Sequence, residues 1–223
     1  MKIRHALLPA LVLLAGSMAA SAETIRVFID PALPQAGPVL AELRAADGEA
    51  TFTREALSPL DRDRDAPTIV LSLVDDAAAV EAMATSGCTP PSGLEAEGFG
   101  LRRCGTSTLW VAGADPAGLL YGGYELAEQL ALFGWDGVRD TDQNPHLAMR
   151  GTKFNLPLDV RTPTYSDPGE AAQVNMPLMW ELDFWKEYID NLARHRYNFV
   201  SHGSLHPFPS LVKVPEYPDV ALD

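Results

Sequence analysis

The chain has 223 residues, 47% of them hydrophobic, with 17 basic and 30 acidic side chains. That length suffices for one or two domains with a buried core. The formal net charge of −13 argues against nucleic acid and anionic lipid, whose binding rests on Lys and Arg contacts. An acidic ligand held by one Arg in a cleft remains compatible with it.

The N-terminus reads as a secretory signal. Lys2, Arg4 and His5 form a basic start, residues 7–15 an apolar run, and Ala20-Ser21-Ala22 a small-residue cleavage pattern before Glu23. The apolar run is too short to span a bilayer comfortably. Residues 1–22 are therefore expected to be removed, giving a secreted or periplasmic protein with no membrane partner after cleavage. Loss of Lys2 and Arg4 leaves 15 basic against 30 acidic side chains.

Residues 23–146 read as one α/β domain, a sandwich-like mixed sheet with helices. Thr24-Ile25-Arg26-Val27-Phe28-Ile29 alternates and is β-branched, which predicts a strand. Residues 38–44 have helical character and end near Gly48. Thr68-Ile69-Val70-Leu71-Ser72-Leu73-Val74 is an apolar strand, and Asp75 or Asp76 can cap a helix over 77–84. Residues 98–103 and 107–112 predict a hairpin. Asp115 caps the next helix with Pro116 at its first position. That helix is expected to reach about Leu132, with Leu119, Leu120, Tyr124, Leu126 and Leu130 in the core, and Gly134-Trp135-Asp136-Gly137 ends it. Residues 140–145 read as a polar linker, and Pro145 disfavours helix at Asn144. The domain boundary falls within 141–148.

The two cysteines are Cys88 and Cys104. Export permits a disulfide between them, with turn-rich Thr89-Pro90-Pro91-Ser92-Gly93 in the intervening loop. Such a bridge would add about 3 kcal/mol in the chain-entropy model. Two buried thiols are the open alternative. A catalytic Cys is not expected, since the only basic neighbours are Arg102 and Arg103.

Residues 147–223 open a second unit. A strand around 149–156 is followed by a long loop with Pro157, Pro163, Pro168 and Gly169. Leu182, Trp185, Tyr188, Ile189 and Leu192 recur at helical spacing, and Asn198-Phe199-Val200-Ser201-His202 reads as a second strand. Strand, crossover helix and strand predict a parallel, right-handed unit, the first β-α-β portion of a TIM barrel. A full barrel needs roughly 250 residues, and 147–223 supplies 77. The unit is expected to be incomplete.

Two sets of residues carry a resemblance. Glu97-Gly98-Phe99, with Gly113-Ala114-Asp115-Pro116-Ala117-Gly118-Leu119-Leu120-Tyr121-Gly122-Gly123-Tyr124-Glu125-Leu126, resembles the N-terminal α/β domain of family 20 β-N-acetylhexosaminidases and family 67 α-glucuronidases. Arg150-Gly151, Leu158-Asp159-Val160-Arg161, Ile189-Asp190 and His195-Arg196-Tyr197-Asn198 are similar to the first barrel strand, helix and second strand of the hexosaminidase-like enzymes. The resemblance implies an exported glycoside hydrolase acting on oligosaccharide or polysaccharide, without a cofactor. It leaves the sugar open between an α-glucuronidase-like and a hexosaminidase-like substrate.

Barrel active sites lie at the carboxyl ends of the strands. Arg161 is the leading substrate contact: the resemblance implies an Arg after the first strand that binds sugar hydroxyls, and a guanidinium also suits a uronic carboxylate. Asp159 is either a site residue or the partner of a surface Arg161. His202 and His206, near the end of the second strand, could hydrogen-bond a sugar or be structural. Gly203 and Pro207 argue against a helical His pair and hence against a metal site. Asp61-Arg62-Asp63-Arg64-Asp65 lacks the Gly and Glu of a calcium loop and reads as solvated. The glycines between Gly113 and Gly123 read as helix–sheet packing. Trp185 and Tyr188 read as core, although with Trp180 they could form a sugar platform.

Glycosidases need two carboxyl groups, or one and a substrate amide. The resemblance implies that the acid comes from a later strand, so these 223 residues alone are expected to be inactive. The reading from another class is a non-catalytic carbohydrate-binding or protein-interaction module.

Overall fold

The computed structural model describes residues 24–57, 66–155, 178 and 181–203. The signal segment, the Asp61–Asp65 run, Trp180, and the candidates Asp159, Arg161 and His206 lie outside the described residues.

Eight strands and four helices are described. They are β1 (Thr24–Ile29), α1 (Ala36–Ala46), β2 (Thr51–Glu55), β3 (Thr68–Leu73), α2 (Ala77–Ala84), β4 (Phe99–Cys104), β5 (Thr108–Gly113), α3 (Pro116–Gly137), β6 (Thr141–Gln143), β7 (Gly151–Asn155), α4 (Leu182–Arg194) and β8 (Phe199–Gly203). The first six strands form one mixed sheet in the order β2-β1-β3-β5-β4-β6. Strands β1, β2, β3 and β5 are parallel; β4 runs antiparallel to β5 and β6.

Strand alternation builds two cores, one on each face of this sheet. Ile25, Val27, Ile29, Ile69, Leu71, Leu109 and Val111 meet Val39, Leu40 and Leu43 of α1 and Leu119, Leu126 and Leu130 of α3. The intervening Phe28, Val70, Trp110 and Ala112 point the other way, onto Ala79 and Met83 of α2. Trp110 is fully buried, and its Nε1 donates to Ser72 Oγ at 2.9 Å, which satisfies the polar end of an otherwise apolar ring. Cys88, just after α2, is disulfide-bonded to Cys104 at the end of β4, with Cα atoms 5.3 Å apart. The bridge lies inside the second core.

The capping residues act as their chemistry requires. Asp76, rather than Asp75, accepts from Ala79 N at 2.9 Å, and Asp115 accepts from Gly118 N at 2.8 Å. The glycines of α3 are packing residues. A Cβ on Gly122 would lie 2.6 Å from a Val111 methyl, and one on Gly123 2.6 Å from both methyls of Val39. One on Gly118 would collide with the Gly98 carbonyl. The helix therefore lies close against both the sheet and α1.

Three local expectations need correction, and one strand carries no clear sequence signal. Thr51–Glu55 is that strand: it is short and half-exposed, and its pairing to β1 supplies the backbone partners. The polar linker contains β6, which closes the sheet edge by pairing Thr141–Gln143 with β4; polar side chains suit an edge strand. Tyr121 occupies the buried side of α3, whereas Tyr124 and Leu120 are half-buried. The aromatic residues of α4 do not form a core: none of its residues is buried, and Leu182 and Ile189 are 67% and 54% exposed. Its apolar stripe is only partly covered: Phe184, Trp185 and Tyr188 are half-buried, and Trp185 meets the His202 ring of β8.

Strands β7 and β8 form a separate two-stranded parallel sheet, in register from Gly151↔Phe199 to Asn155↔Gly203, with α4 between them in the chain. No described helix is long and apolar enough to cross a membrane.

Candidate functional site

A pocket of about 250 Å³ lies where β7, β8 and α4 meet the large sheet and α3. Glu97, Phe99, Tyr121 and Gln143 form one wall; Arg150, His195 and Arg196 form the other, and Asn144, Pro145 and His146 link them.

The local sequence explains how each wall is built. Gly151 lets Phe199 approach β7 closely, since a Cβ there would collide with the Phe199 carbonyl. The Arg150 carbonyl accepts from Asn198 N at 2.8 Å and Phe199 N at 3.1 Å. The Arg150 guanidinium pairs with the Glu97 carboxylate and donates through Nε to Arg196 O at 2.8 Å and through Nη1 to Leu147 O at 2.7 Å. Asn198 Nδ2 donates to Glu97 Oε1 at 2.9 Å and to Ala148 O at 2.8 Å, while its Oδ1 accepts from Arg150 N at 2.9 Å. Arg196 donates to Gln143 Oε1 and pairs with Glu125. Arg194 pairs with Glu42 at 2.7 Å.

Charge is segregated across this junction. The three cations Arg150, Arg194 and Arg196 come from the β7-α4-β8 side, and the three anions Glu42, Glu97 and Glu125 from the large α/β domain. Arg150 also lies 5.8 Å from the Tyr121 ring centroid and Arg196 5.3 Å from that of Phe99, within cation–π range.

The titration behaviour matches these surroundings. Burial, then the Glu97 charge, pushes the Tyr121 phenol above its ordinary value, with Arg150 opposing. Burial, then Glu42, likewise raises Tyr124. The hydrogen bond to Glu42 raises Arg194 further above its already high value.

Strand direction separates this pocket from a barrel-type substrate site. Arg150 and Asn198 precede β7 and β8, so the pocket is at the N-terminal ends of the strands. In β/α barrels substrates bind at the other end, and the N-terminal face serves stability. The C-terminal ends carry Asn155 and Gly203, one residue beyond His202. His202 is exposed, and its ring meets Trp185 of α4 edge-on at 5.1 Å between centroids. It therefore lies on the helix-facing side of the strand. By alternation Ser201, and Lys153 in register with it, share the opposite side. Trp185 and Tyr188 form an edge-on pair at 6.0 Å, and Phe184 stacks on Tyr188.

Several junction residues stand in the sequence as parts of Glu97-Gly98-Phe99, Arg150-Gly151 and His195-Arg196-Tyr197-Asn198, whereas Glu42, Gln143 and Arg194 carry no sequence signal. What the sequence pattern does not reveal is that these three motifs touch one another. Among the described residues no group of three His, Cys, Asp or Glu side chains is placed to hold a metal ion.

Neither a protein-family profile nor a curated protein sequence matches the chain. Solved structures do. A family 138 glycoside hydrolase targeting pectin rhamnogalacturonan II superposes with a TM-score of 0.59 at 22% identity, over 88% of this chain and 26% of its own. A family 115 4-O-methyl-α-glucuronidase with specificity for decorated arabinogalactans gives 0.54 at 16% identity, over 85% and 26%. A family 20 β-N-acetylglucosaminidase reaches 0.46 at 20% identity, over 82% and 28%, too low to carry a fold argument. The chain thus has the mixed α/β fold found in glycoside hydrolases of families 138 and 115. It spans about a quarter of the length of the structures it matches.

Proposed function

We propose that this chain is the accessory α/β domain and the opening β/α/β unit of an exported glycoside hydrolase that cleaves a glycosidic bond in polysaccharide fragments. The observation that carries this reading is the fold likeness to two glycoside hydrolases over more than four-fifths of the chain. Parallel β7 and β8 with α4 between them fit a barrel opening. The substrate would lie at the C-terminal ends of β7 and β8, on the far side from the junction pocket. In the chain Asp159 and Arg161 follow β7 and His206 follows β8, which would bring all three near that mouth. Arg161 would bind sugar hydroxyls or a uronic carboxylate. The carboxyl pair that glycosidases require would come from later strands.

The test compares residues 23–223 with the product of the whole reading frame that encodes them. Both are assayed on aryl glycosides and on pectic and arabinogalactan oligosaccharides. Hydrolysis by the whole product alone, with Arg161→Ala raising KM, is the expected result. Turnover by residues 23–223 alone would refute the fragment reading. A frame that stops after Asp223, with saccharide binding and no hydrolysis, would replace the enzyme by a carbohydrate-binding module.

A further inference from the structure

Among the described residues, two that are not glycine have left-handed backbone: Glu97 at φ 63° and Arg196 at φ 61°. Such positions favour glycine, and a residue with a side chain persists there only when its surroundings over-determine it. Both face the junction pocket, from opposite walls.

Arg196 closes α4. Its N–H donates to Ala193 O at 2.9 Å, and Tyr197 N donates to Leu192 O at 2.9 Å. This is the helix ending in which glycine is usual at the left-handed residue. Glu97 lies in the turn before β4, where its N–H donates to Asp115 Oδ2 at 2.7 Å. Each side chain then crosses the junction, Glu97 to Arg150 and Asn198, Arg196 to Glu125 and Gln143.

We propose that Glu97 and Arg196 are the two halves of an ionic latch that couples the α/β domain to the β7-α4-β8 unit. Glycine would relax each turn but would supply no charge, so the strained residue marks where the side chain matters more than the backbone. The unit held by this latch buries no residue of α4. Its attachment therefore depends on polar contacts to a degree the rest of the fold does not. Because the latch grips the N-terminal ends of β7 and β8, it also sets where their C-terminal ends stand. This inference does not rest on the glycosidase reading.

Amide hydrogen exchange of the full chain tests it, with Arg196→Gly, Arg196→Gln, Glu125→Gln and the double variant of the last two. Removal of a charge-assisted pair should speed exchange in β7, α4 and β8 about five- to tenfold and leave β3 and β5 unchanged. The double variant should exchange no faster than either single one, since paired groups are not additive. Arg196→Gly should open the unit despite its relaxed turn. Exchange within twofold of wild type in Arg196→Gly and Glu125→Gln would overturn the latch. So would additive effects in the double variant, or equal acceleration in β3 and β5, which would mean the residues serve the whole fold and not the coupling. Glu125→Gln alters no backbone angle, so it decides the matter even if Arg196→Gly folds poorly.

Discussion

The large α/β domain and the β7-α4-β8 unit solve the same problem in opposite ways. The domain encloses two apolar cores, one on each face of its sheet, and seals one with a disulfide. The unit has an amphipathic helix with no buried residue and is fastened by Arg–Glu pairs and by the side-chain hydrogen bonds of Asn198 to Glu97 and Arg196 to Gln143. Hydrophobic burial is non-directional and scales with area. Charge-assisted hydrogen bonds are directional and weak when half-exposed. The first arrangement supplies stability, and the second supplies orientation.

Four changes would break or sharpen that contrast. Trp110→Ala empties the centre of one core and removes the partner of Ser72. It should cost about 3–5 kcal/mol, read from a urea titration followed by circular dichroism, and both regions should unfold with it. A loss below about 1 kcal/mol would show that the domain does not depend on this core. Replacing Cys88 and Cys104 with Ser should cost about 3 kcal/mol in the same titration, while intact mass before and after reduction and alkylation reports the bridge directly. An unchanged midpoint, or two free thiols in the native protein, would remove the disulfide from the account.

Asp115→Ala bears on both regions, because one carboxylate oxygen caps α3 and the other holds the Glu97 turn. About 1 kcal/mol of lost stability is expected from the cap, together with faster exchange in β7 and β8. Loss of stability without that second effect would detach the cap from the junction. Ile189→Ala should change stability by less than about 0.5 kcal/mol, since Ile189 is more than half exposed. A cost of about 2 kcal/mol or more would mean that α4 buries its stripe in solution and that the contrast is overstated.

One pH effect is smaller still. The hydrogen bond from Arg26 lowers the Glu55 carboxyl below its ordinary value. A carboxylate lowered in the folded state stabilises it at neutral pH and loses that effect as pH falls through the lowered value. Acid should therefore loosen the β1–β2 edge in wild type more than in Glu55→Gln, as read by exchange in residues 51–55. Identical acid profiles would show that this half-buried pair contributes nothing.

Most of the large domain is legible in the sequence alone. β-Branched alternation marks β1 and β3, Asp115-Pro116 marks the start of α3, and the Gly-rich stretch reads as packing. Strand β2 escapes such a reading because Thr51-Phe52-Thr53-Arg54-Glu55 is short and polar, and its strand character comes from pairing with β1. Strand β6 is hidden for the same reason, as polar residues at a sheet edge look like a linker. Tyr121 and Tyr124 are both plausible inward residues of one helix; the close approach of α3 to the sheet selects Tyr121.

The candidate site divides along similar lines. The motifs around Glu97, Arg150 and Arg196 stand out as sequence, yet their role across the junction does not. Local patterns record what a residue does with neighbours three or four positions away, or on the next strand face. The pairing of Arg150 with Glu97, and of Arg196 with Glu125, joins residues 53 and 71 positions apart, so it exists only once two separately specified elements are set side by side. Composition, caps and alternation suffice for the α/β layers because those signals are local and repeated along each element. The junction, its left-handed residues and the exposed face of α4 follow from how the elements meet, which no short stretch of the chain encodes.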